Sequence, residues 1–312
     1  MRKALLIYNP LSGRKRQHRA RQISLALAVL RGAGVEAESS ATTHRGSAID
    51  QTREAVSAGF DTVIACGGDG TANEVLNGLM LCGGEATMGV LPFGSANLLA
   101  TDLLLPSNVE AAARTLLSYK PCAMKPGLMH YQDKTGPQQR YFIVAAGVGS
   151  DAELMYRTAA AAKERFGVYA YFLEMSRMAV RRRFPKFKVE WEDSDGKRQS
   201  GEVSMVMAVR AAKFPGVLKR VQLGSQLVRN DYRLMLFHTS KVRHFLNYFA
   251  SVASGKNWNV PQVQLAFSTW FRCTALPDQN LASIHSEMDG ELLGTLPVEV
   301  SIEQKTFQLL MP

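Results

Sequence analysis

The residues best suited to chemistry lie at positions 67–71, which read Gly-Gly-Asp-Gly-Thr and follow the apolar residues 63–66. Glycines let backbone N–H groups approach an anion closely, and a helix beginning here would add about half a positive charge at its N-terminus. An ordinary strand-to-helix turn with a capping threonine would explain an isolated glycine pair. Three glycines, an aspartate and a threonine within five residues favour a phosphate site of a nucleotide-binding protein.

A second glycine-bearing turn follows at residues 92–97, which read Pro-Phe-Gly-Ser-Ala-Asn after the strand-like residues 87–91. Turns that follow neighbouring parallel strands meet at the carboxyl edge of the sheet, where open α/β sheets bind their ligands. We therefore expect the two turns to face one site.

The elements that must position these turns are visible through the first 120 residues. Short apolar segments of strand length alternate with amphipathic segments that have helical spacing and end near glycines. This alternation predicts a doubly wound, parallel α/β fold. Strands are predicted at residues 4–8, 35–39, 61–65 and 87–91, and helices at 15–30, 49–58, 73–80 and 108–119.

The pattern changes near residues 121–127. Beyond them, short segments alternate between apolar and polar residues, which is typical of half-buried antiparallel strands. One long helical pattern, at 151–183, interrupts them. The second half is therefore predicted to be a mostly antiparallel β-sandwich. Its predicted strands lie at 141–146, 187–191, 203–209, 233–237, 262–267 and 298–302.

The composition, with 46% hydrophobic residues, is that of a globular protein, and its charge favours an anionic partner. The chain has 37 Lys and Arg against 27 Asp and Glu, a formal net charge of +10. No run approaches the roughly 18 apolar residues that span a bilayer. The apolar residues 4–8 are too few for a signal peptide. The four cysteines lack CxxC spacing, which indicates free thiols and a cytoplasmic protein.

Five motifs occur in a fixed order: Asn9-Pro-x-Ser-Gly, Thr42-x-x-x-Gly-x-Ala, Gly67-Gly-Asp-Gly-Thr-x-Asn-Glu, Leu91-Pro-x-Gly-x-Ala-Asn and Asp289-Gly-Glu. Together they resemble, nearly end to end, the bacterial diacylglycerol kinase-like lipid kinases, relatives of sphingosine and ceramide kinases and, more distantly, of NAD kinases. The resemblance implies two domains with a cleft between them. These are a nucleotide-binding α/β domain (residues 1–124 with a tail at about 306–312) and a β-sandwich domain for the lipid substrate (125–305).

The resemblance also implies ATP-dependent phosphorylation of a lipid hydroxyl, with ATP and Mg²⁺ as cofactors. Asp69 would orient Mg²⁺ or its waters, and Asp289 would be the general base for the acceptor hydroxyl. By pattern alone an Asp-Gly pair is more typical of a hairpin turn, but the order of the motifs favours the base. The residues that the resemblance assigns to the nucleotide are Asn9, Ser12, Gly13, Thr42, Gly67, Gly68, Asp69, Gly70, Thr71, Asn73, Glu74, Ser95 and Glu291.

A second Mg²⁺ site follows from the same resemblance. Relatives hold a Mg²⁺ at the end of a strand with one aspartate and two backbone carbonyl groups. The matching positions are Asp231 and the carbonyls of Val228 and Arg233, although Tyr232 stands where the family has glycine. A solvated aspartate in a turn is the equal alternative.

A basic segment suggests how the protein meets its substrate. Arg181, Arg182 and Arg183 end the aromatic-rich helical pattern. Cations beside aromatic side chains suit an anionic membrane surface, at about 1 kcal/mol per basic residue; a solvated helix face is the alternative. We expect a cytoplasmic protein that binds the membrane peripherally through these arginines. No nucleic-acid partner is expected, and the oligomeric state stays open, a homodimer included.

Three functions remain in competition. The leading hypothesis is a lipid kinase acting on diacylglycerol, a sphingoid base, ceramide or a similar lipid alcohol. The first alternative is a soluble NAD kinase-like phosphotransferase, against which the motifs at Asn9 and Asp289 argue. The second is a non-catalytic nucleotide- or lipid-binding protein. Two family acids are absent, at Leu98 and at Pro126-Gly127, which favours this alternative, whereas the presence of Asp69 and Asp289 opposes it.

Overall fold

The chain forms two units, Met1–Pro126 with Glu303–Pro312 (unit 1) and Gly127–Ile302 (unit 2). The computed structural model describes residues 1–12, 18–95, 97–149, 184–193, 195–210, 227, 229–241, 243–245, 247–248, 261–277, 284–289 and 291–312. Some of the predictions fall outside these described residues, namely those for Gly13, Val228, Arg181 to Arg183 and the helical pattern at 151–183.

The helices and strands of the described residues alternate in unit 1, and strands dominate unit 2. Along the chain they are β1 (Lys3–Tyr8), α1 (Arg19–Gly32), β2 (Glu36–Ala41), α2 (Ser47–Ser57), β3 (Thr62–Gly67), α3 (Asp69–Leu81), β4 (Thr87–Pro92), α4 (Leu98–Asp102), α5 (Val109–Ser118), β5 (Lys120–Met124), β6 (Gly127–Asp133), β7 (Gly136–Phe142), β8 (Ala145–Gly149), β9 (Phe187–Glu192), β10 (Arg198–Val203), β11 (Met205–Val209), β12 (Tyr232–Phe237), β13 (Val263–Ser268), β14 (Trp270–Thr274), β15 (His285–Met288), β16 (Glu291–Ile302) and β17 (Phe307–Met311).

Within the described part of unit 1, six strands form one sheet in the order β2-β1-β3-β4-β17-β5. All neighbours are parallel except β5, which runs antiparallel to β17. β1 and β3 consist of continuous apolar runs because helices cover both faces of such a sheet, and their residues 4–7 and 63–66 are buried. The predicted parallel α/β fold is confirmed.

The connections explain how the helices cover this sheet. α1 leads from β1 outward to β2, whereas α2 and α3 lead in the opposite direction, to β3 and then β4. Because such crossovers are right-handed, opposite directions place helices on opposite faces. Consistent with this, α2 packs against α3, and α1 packs against α5. None of the helices within the described ranges is long and apolar enough to cross a bilayer.

Unit 2 contains an antiparallel sheet. Its described strands follow the order β10-β9-β14-β16-β15-β8-β11-β12-β13, and β6 pairs with β16 and with β7. Every described pairing is antiparallel. The predicted, mostly antiparallel β unit is therefore confirmed.

The sheet of unit 2 curls over its own core. Tyr232 on β12 donates its hydroxyl proton to the carbonyl of Ser301 on β16 (2.7 Å), although these strands are not neighbours. The Tyr232 ring also stacks on Phe142, with 5.5 Å between ring centroids. Both rings are buried in one apolar cluster. The two layers expected of a sandwich are thus parts of one curled sheet.

Candidate active site

Four loops of unit 1 meet at one edge of its sheet, because β1, β2, β3 and β4 are parallel and each loop follows the carboxyl end of one strand. These loops contain most of the residues predicted to bind the nucleotide. Gly13 lies outside the described residues. The predicted residues that the structure brings to this edge or to the adjoining first turns of α3 are Asn9, Ser12, Thr42, Gly67, Gly68, Asp69, Gly70, Thr71, Asn73, Glu74 and Ser95.

The two glycine-bearing turns touch backbone to backbone. The N–H groups of Phe93 and Gly94 both donate to the carbonyl of Gly67, at 3.0 Å each. A Cβ atom at Gly94 would collide with the Cα of Gly68 and lie 2.8 Å from Oδ1 of Asn97. Asn97 closes the second turn, since its Oδ1 accepts from Gly94 N (2.7 Å) and its Nδ2 donates to Gly94 O (2.8 Å). The turns after β3 and β4 therefore face one place, as predicted.

Helix α3 begins inside the first turn. Its first residue is Asp69, and Gly68, in an extended conformation, precedes it as the N-cap residue without a side chain to cap the helix. The first N–H groups of any helix lack partners within it. Because glycine cannot satisfy them, the start of α3 presents donors and a positive dipole end to an anion. This arrangement fits a nucleotide phosphate.

The Asp69 carboxylate binds backbone groups of the second turn. Its Oδ2 accepts from Leu98 N and its Oδ1 from Leu99 N, both at 3.1 Å, so Asp69 caps the start of α4. Burial raises the pKa of Asp69 above 3.8, and these two hydrogen bonds act against that rise. Asp69 thus connects the N-termini of two helices at the predicted phosphate site.

Glu74 makes a comparable connection to the loop after β2. Its Oε1 accepts from Gly46 N (2.8 Å) and its Oε2 from Ala48 N (3.1 Å), at the start of α2. The Glu74 side chain is buried, as is Asn73 beside it. Two of the five motifs, those beginning at Thr42 and Gly67, are therefore joined by one carboxylate.

The loop after β1 is held by its own polar residues and by an arginine that sequence reasoning missed. Asn9 Oδ1 accepts from Leu11 N (2.8 Å), and Ser12 Oγ donates to Asn9 O (3.0 Å). The guanidinium of Arg19 donates to the carbonyls of Ser12 and Phe93, the latter at 2.9 Å, and is only 4% exposed. Arg19 therefore joins the loops after β1 and β4. No sequence signal separates it from the other basic residues around 14–21.

Thr42 and Ser95 are two further predicted residues of this edge. Thr42 N donates to Tyr8 O (2.9 Å), which extends the β1–β2 pairing by one step. Ser95 is exposed. Both hydroxyl-bearing residues thus stand at the ends of strands where a ligand could reach them.

In unit 2, Asp289 is buried at a tight turn. It directly follows β15, and one residue separates it from the start of β16. Met288 pairs with Glu291 across the turn. Its φ is 46°, in the left-handed region. The hairpin geometry that the Asp-Gly pair indicates is therefore present.

The Asp289 carboxylate accepts three backbone N–H groups at the start of β8, from the two residues before the strand and from its first residue. Oδ1 accepts from Val144 (2.9 Å) and Ala145 (3.0 Å), and Oδ2 accepts from Ile143 (3.2 Å). In addition, Asp289 N donates to Ala145 O (2.9 Å). The carboxylate is thus fixed in position and orientation.

The other residues predicted in unit 2 have charged or aromatic partners. Glu291 pairs with Arg140 at 3.4 Å. Asp231 accepts from Nε (2.7 Å) and Nη2 (2.5 Å) of Arg229, so both of its oxygens are engaged. The guanidinium of Arg233 lies 5.7 Å from the ring centroid of Phe267. Val228 is not described. Among the described residues, no group of three or more His, Cys, Asp or Glu could hold a metal ion.

A parallel sheet with a glycine-lined helix N-terminus at its carboxyl edge is the arrangement typical of α/β nucleotide-binding proteins. Residues 3–128 match the family model of the diacylglycerol kinase catalytic domain. The chain is 30% identical to a diacylglycerol kinase from Bacillus subtilis, in an alignment that covers 100% of this chain and 97% of that protein. It is 26% identical to one from Staphylococcus aureus, covering 95% of this chain and 88% of that one.

The fold agrees with these sequence matches. A crystal structure of a diacylglycerol kinase from Bacillus anthracis superposes with a TM-score of 0.72 at 19% identity, covering 99% of this chain and 97% of that chain. The chain belongs to the diacylglycerol kinase family and is a lipid kinase.

The contact between the two glycine turns predicts a sharp effect of one added methyl group. Gly94→Ala should weaken ATP binding and lower the free energy of unfolding by about 1–3 kcal/mol, because the new Cβ pushes the turns apart. Isothermal titration with ATP and urea unfolding measure the two effects. Gly32→Ala is the matched control, since apart from its chain neighbours and its own helix backbone no atom lies within 4 Å of the position of its Cβ. Equal ATP affinity in both variants would contradict the prediction.

The raised pKa of Asp69 predicts a pH-dependent stability difference. Because the folded-state pKa lies above 3.8, the folded protein holds this proton more tightly than the unfolded chain does. The contribution of Asp69 to stability therefore falls as pH rises from about 4 through the raised pKa. Relative to Asp69→Asn, the wild type should lose unfolding free energy across this range in urea titrations. A relative gain would show that the sign is wrong.

Proposed function

We propose that this lipid kinase transfers the γ-phosphoryl group of ATP to the hydroxyl of a lipid alcohol, with diacylglycerol as the preferred acceptor and Asp289 as the general base. The observation that carries the proposal is the start of α3, which lies between two interlocked glycine turns without a side-chain cap. The names of the relatives in Bacillus subtilis and Staphylococcus aureus support diacylglycerol as the acceptor.

On the donor side, the protein's task is to position the phosphates and to balance their charge. The N–H groups at the start of α3 and the hydroxyl groups of Thr42 and Ser95 are donors that a phosphate at this edge could use. Mg²⁺ bound with ATP would supply further charge neutralisation. Asp69 could accept hydrogen bonds from the metal's waters, because a carboxylate has about four acceptor positions and Leu98 N and Leu99 N use two.

On the acceptor side, Asp289 has two properties that suit a general base. Three backbone N–H groups hold its carboxylate in a single orientation, so no side-chain rearrangement is needed before proton transfer. The same hydrogen bonds favour the ionised form, which is the form able to accept the proton of the lipid hydroxyl as the new P–O bond forms.

We also propose that the protein reaches its lipid at the surface of an anionic membrane. The predicted arginines at 181–183 lie outside the described residues. Within the described part, Phe267 is 38% exposed and Leu265 is 43% exposed on β13. The guanidinium of Arg229 lies 5.0 Å from the Phe267 ring centroid. An exposed aromatic ring next to a cation suits the interface between lipid and water.

Substitution of Asp289 tests the catalytic proposal. With labelled ATP, Mg²⁺ and diacylglycerol in mixed micelles, Asp289→Asn should lower the transfer rate by about 100- to 10,000-fold, the range of general-base contributions. Titration should give unchanged ATP affinity. In the variant an amide NH₂ replaces Oδ2, the oxygen that accepts the hydrogen bond of Ile143 N. The buried N–H is then left without an acceptor, so the variant should also lose about 1–3 kcal/mol of stability.

A control separates chemistry from stability. Tyr232→Phe removes a buried hydrogen bond from the same unit without changing a charge, so it should lower stability and keep most of the transfer rate. Retained transfer in Asp289→Asn would remove Asp289 from the role of base. Ceramide, a sphingoid base and NAD in place of diacylglycerol test the choice of acceptor, and faster transfer to any of them would overturn it.

The membrane proposal has its own measurement. Replacing Leu265 and Phe267 together by serine should reduce co-sedimentation with vesicles rich in anionic lipid, because the variant loses the exposed apolar contact. Zwitterionic vesicles are the control for charge dependence. Unchanged sedimentation of the double variant with anionic vesicles would exclude this surface as the contact.

A further inference from the structure

Arg210 is the largest side chain among the described residues that is almost fully buried, at 1% exposure. It follows β11 directly and ends a run of apolar residues in the sequence. A guanidinium keeps its charge under all ordinary conditions and carries five N–H donors. Burying it is costly unless carbonyl groups and negative charges surround it.

The contacts of Arg210 connect two segments of unit 2 that contain predicted site residues. Its Nη2 donates to the carbonyls of Leu227 (3.0 Å) and Arg229 (2.7 Å), in the turn before β12. Its backbone N donates to Val144 O (2.9 Å). The N–H of the same residue, Val144, donates to Oδ1 of Asp289 at 2.9 Å. One residue therefore bridges Arg210 and the proposed base.

The charges near Arg210 support the same connection. Burial lowers the pKa of the Arg210 guanidinium, and the negative charges of Asp231 and Asp289 act in the opposite direction. Its guanidinium carbon lies 6.0 Å from the ring centroid of Tyr232. A fixed positive charge near the buried Asp289 lowers the cost of keeping that carboxylate ionised.

The turn before β12 does not fit the divalent cation that sequence resemblance assigns to it. Both oxygens of Asp231 accept from the guanidinium of Arg229. The carbonyls of Leu227 and Arg229 accept from Arg210. A divalent cation bound through Asp231 would have to displace the Arg229 guanidinium and would lie close to two guanidinium groups, which repel it.

We propose that Arg210 is a positioning residue that holds the carbonyls of Leu227 and Arg229 before β12, takes the place of a metal ion there, and supplies the positive charge that keeps Asp289 ionised and in place. This inference rests on the proposed function only for the catalytic role of Asp289. The structural part of the inference, a coupling between Arg210 and Asp289, is independent of any activity.

The first test uses unfolding alone. Urea unfolding of the full chain is measured for the wild type, Arg210→Met, Asp289→Asn and the double variant. The double variant should lose less unfolding free energy than the two single variants lose in sum, because each single variant leaves one charge buried without its partner. Strictly additive effects would overturn the coupling. If Arg210→Met does not fold, Arg210→Lys takes its place in the cycle and decides the question.

The second test concerns the metal. If no metal binds at the turn before β12, neither EDTA nor millimolar Mg²⁺ without nucleotide should change the midpoint of thermal unfolding of the wild type by acting there. A rise of this midpoint with Mg²⁺ that is lost in Asp231→Asn would overturn the proposal that Arg210 takes the place of a metal ion. An unchanged midpoint, or a rise that persists in Asp231→Asn, supports it.

The third test is kinetic and distinguishes positioning from folding. At a temperature where every variant is folded, Arg210→Met should lower kcat at least tenfold and leave the KM for ATP unchanged. Arg210→Lys, which keeps the charge, should recover part of kcat. An unchanged kcat in Arg210→Met would contradict the inference. If the wild type transfers no phosphate to any lipid, the proposed function fails, while the unfolding cycle and the metal test still decide on Arg210.

Discussion

Buried or half-buried carboxylates that accept backbone N–H groups hold the loops of this protein in place. Asp69 fixes the start of α4, Glu74 fixes the start of α2, and Asp289 fixes the start of β8. Hydrogen bonds of this kind are roughly twice as strong as those between neutral groups because the acceptor is charged. Each of these carboxylates belongs to a motif that sequence resemblance assigns to chemistry, so the same acids shape the site that they are proposed to serve.

A structural role does not exclude a catalytic one. Phosphoryl transfer depends mainly on positioning, and a carboxylate held by two or three N–H groups is already oriented. Two arginines that are buried in the described part of the chain complete this scheme. Arg19 joins the loops after β1 and β4 through their carbonyls, and Arg210 joins the turn before β12 to the residue that also binds Asp289. Charges of both signs thus bind backbone groups in loops and at the ends of helices and strands.

The sequence predicts much of this architecture, for identifiable reasons. Parallel strands buried on both faces are continuous apolar runs, so β1, β3 and β4 are found within one or two residues of their ends. The interlocking of the glycine turns follows from their positions after neighbouring strands. The start of α3 was predicted at 73 but lies at Asp69, because glycines within the motif hide the helical pattern. Strands β5, β6, β10, β14, β15 and β17 were not predicted. In β6 and β14 the polar His130 and Arg272 occupy exposed positions beside buried ones, so the alternation is present but extends over only a few residues. The roles of Arg19 and Arg210 depend on contacts between distant segments, which no local pattern contains.

Amide hydrogen exchange tests most directly whether the motif carboxylates hold the loops. In the full chain, the amides of Ile143, Val144 and Ala145 should exchange slowly in the wild type and faster in Asp289→Ala, since their acceptor is gone. The amides of Leu98 and Leu99, which Asp69 binds, serve as the internal reference and should keep their protection. Unchanged protection at 143–145 in the variant, with the protein still folded, would contradict the account.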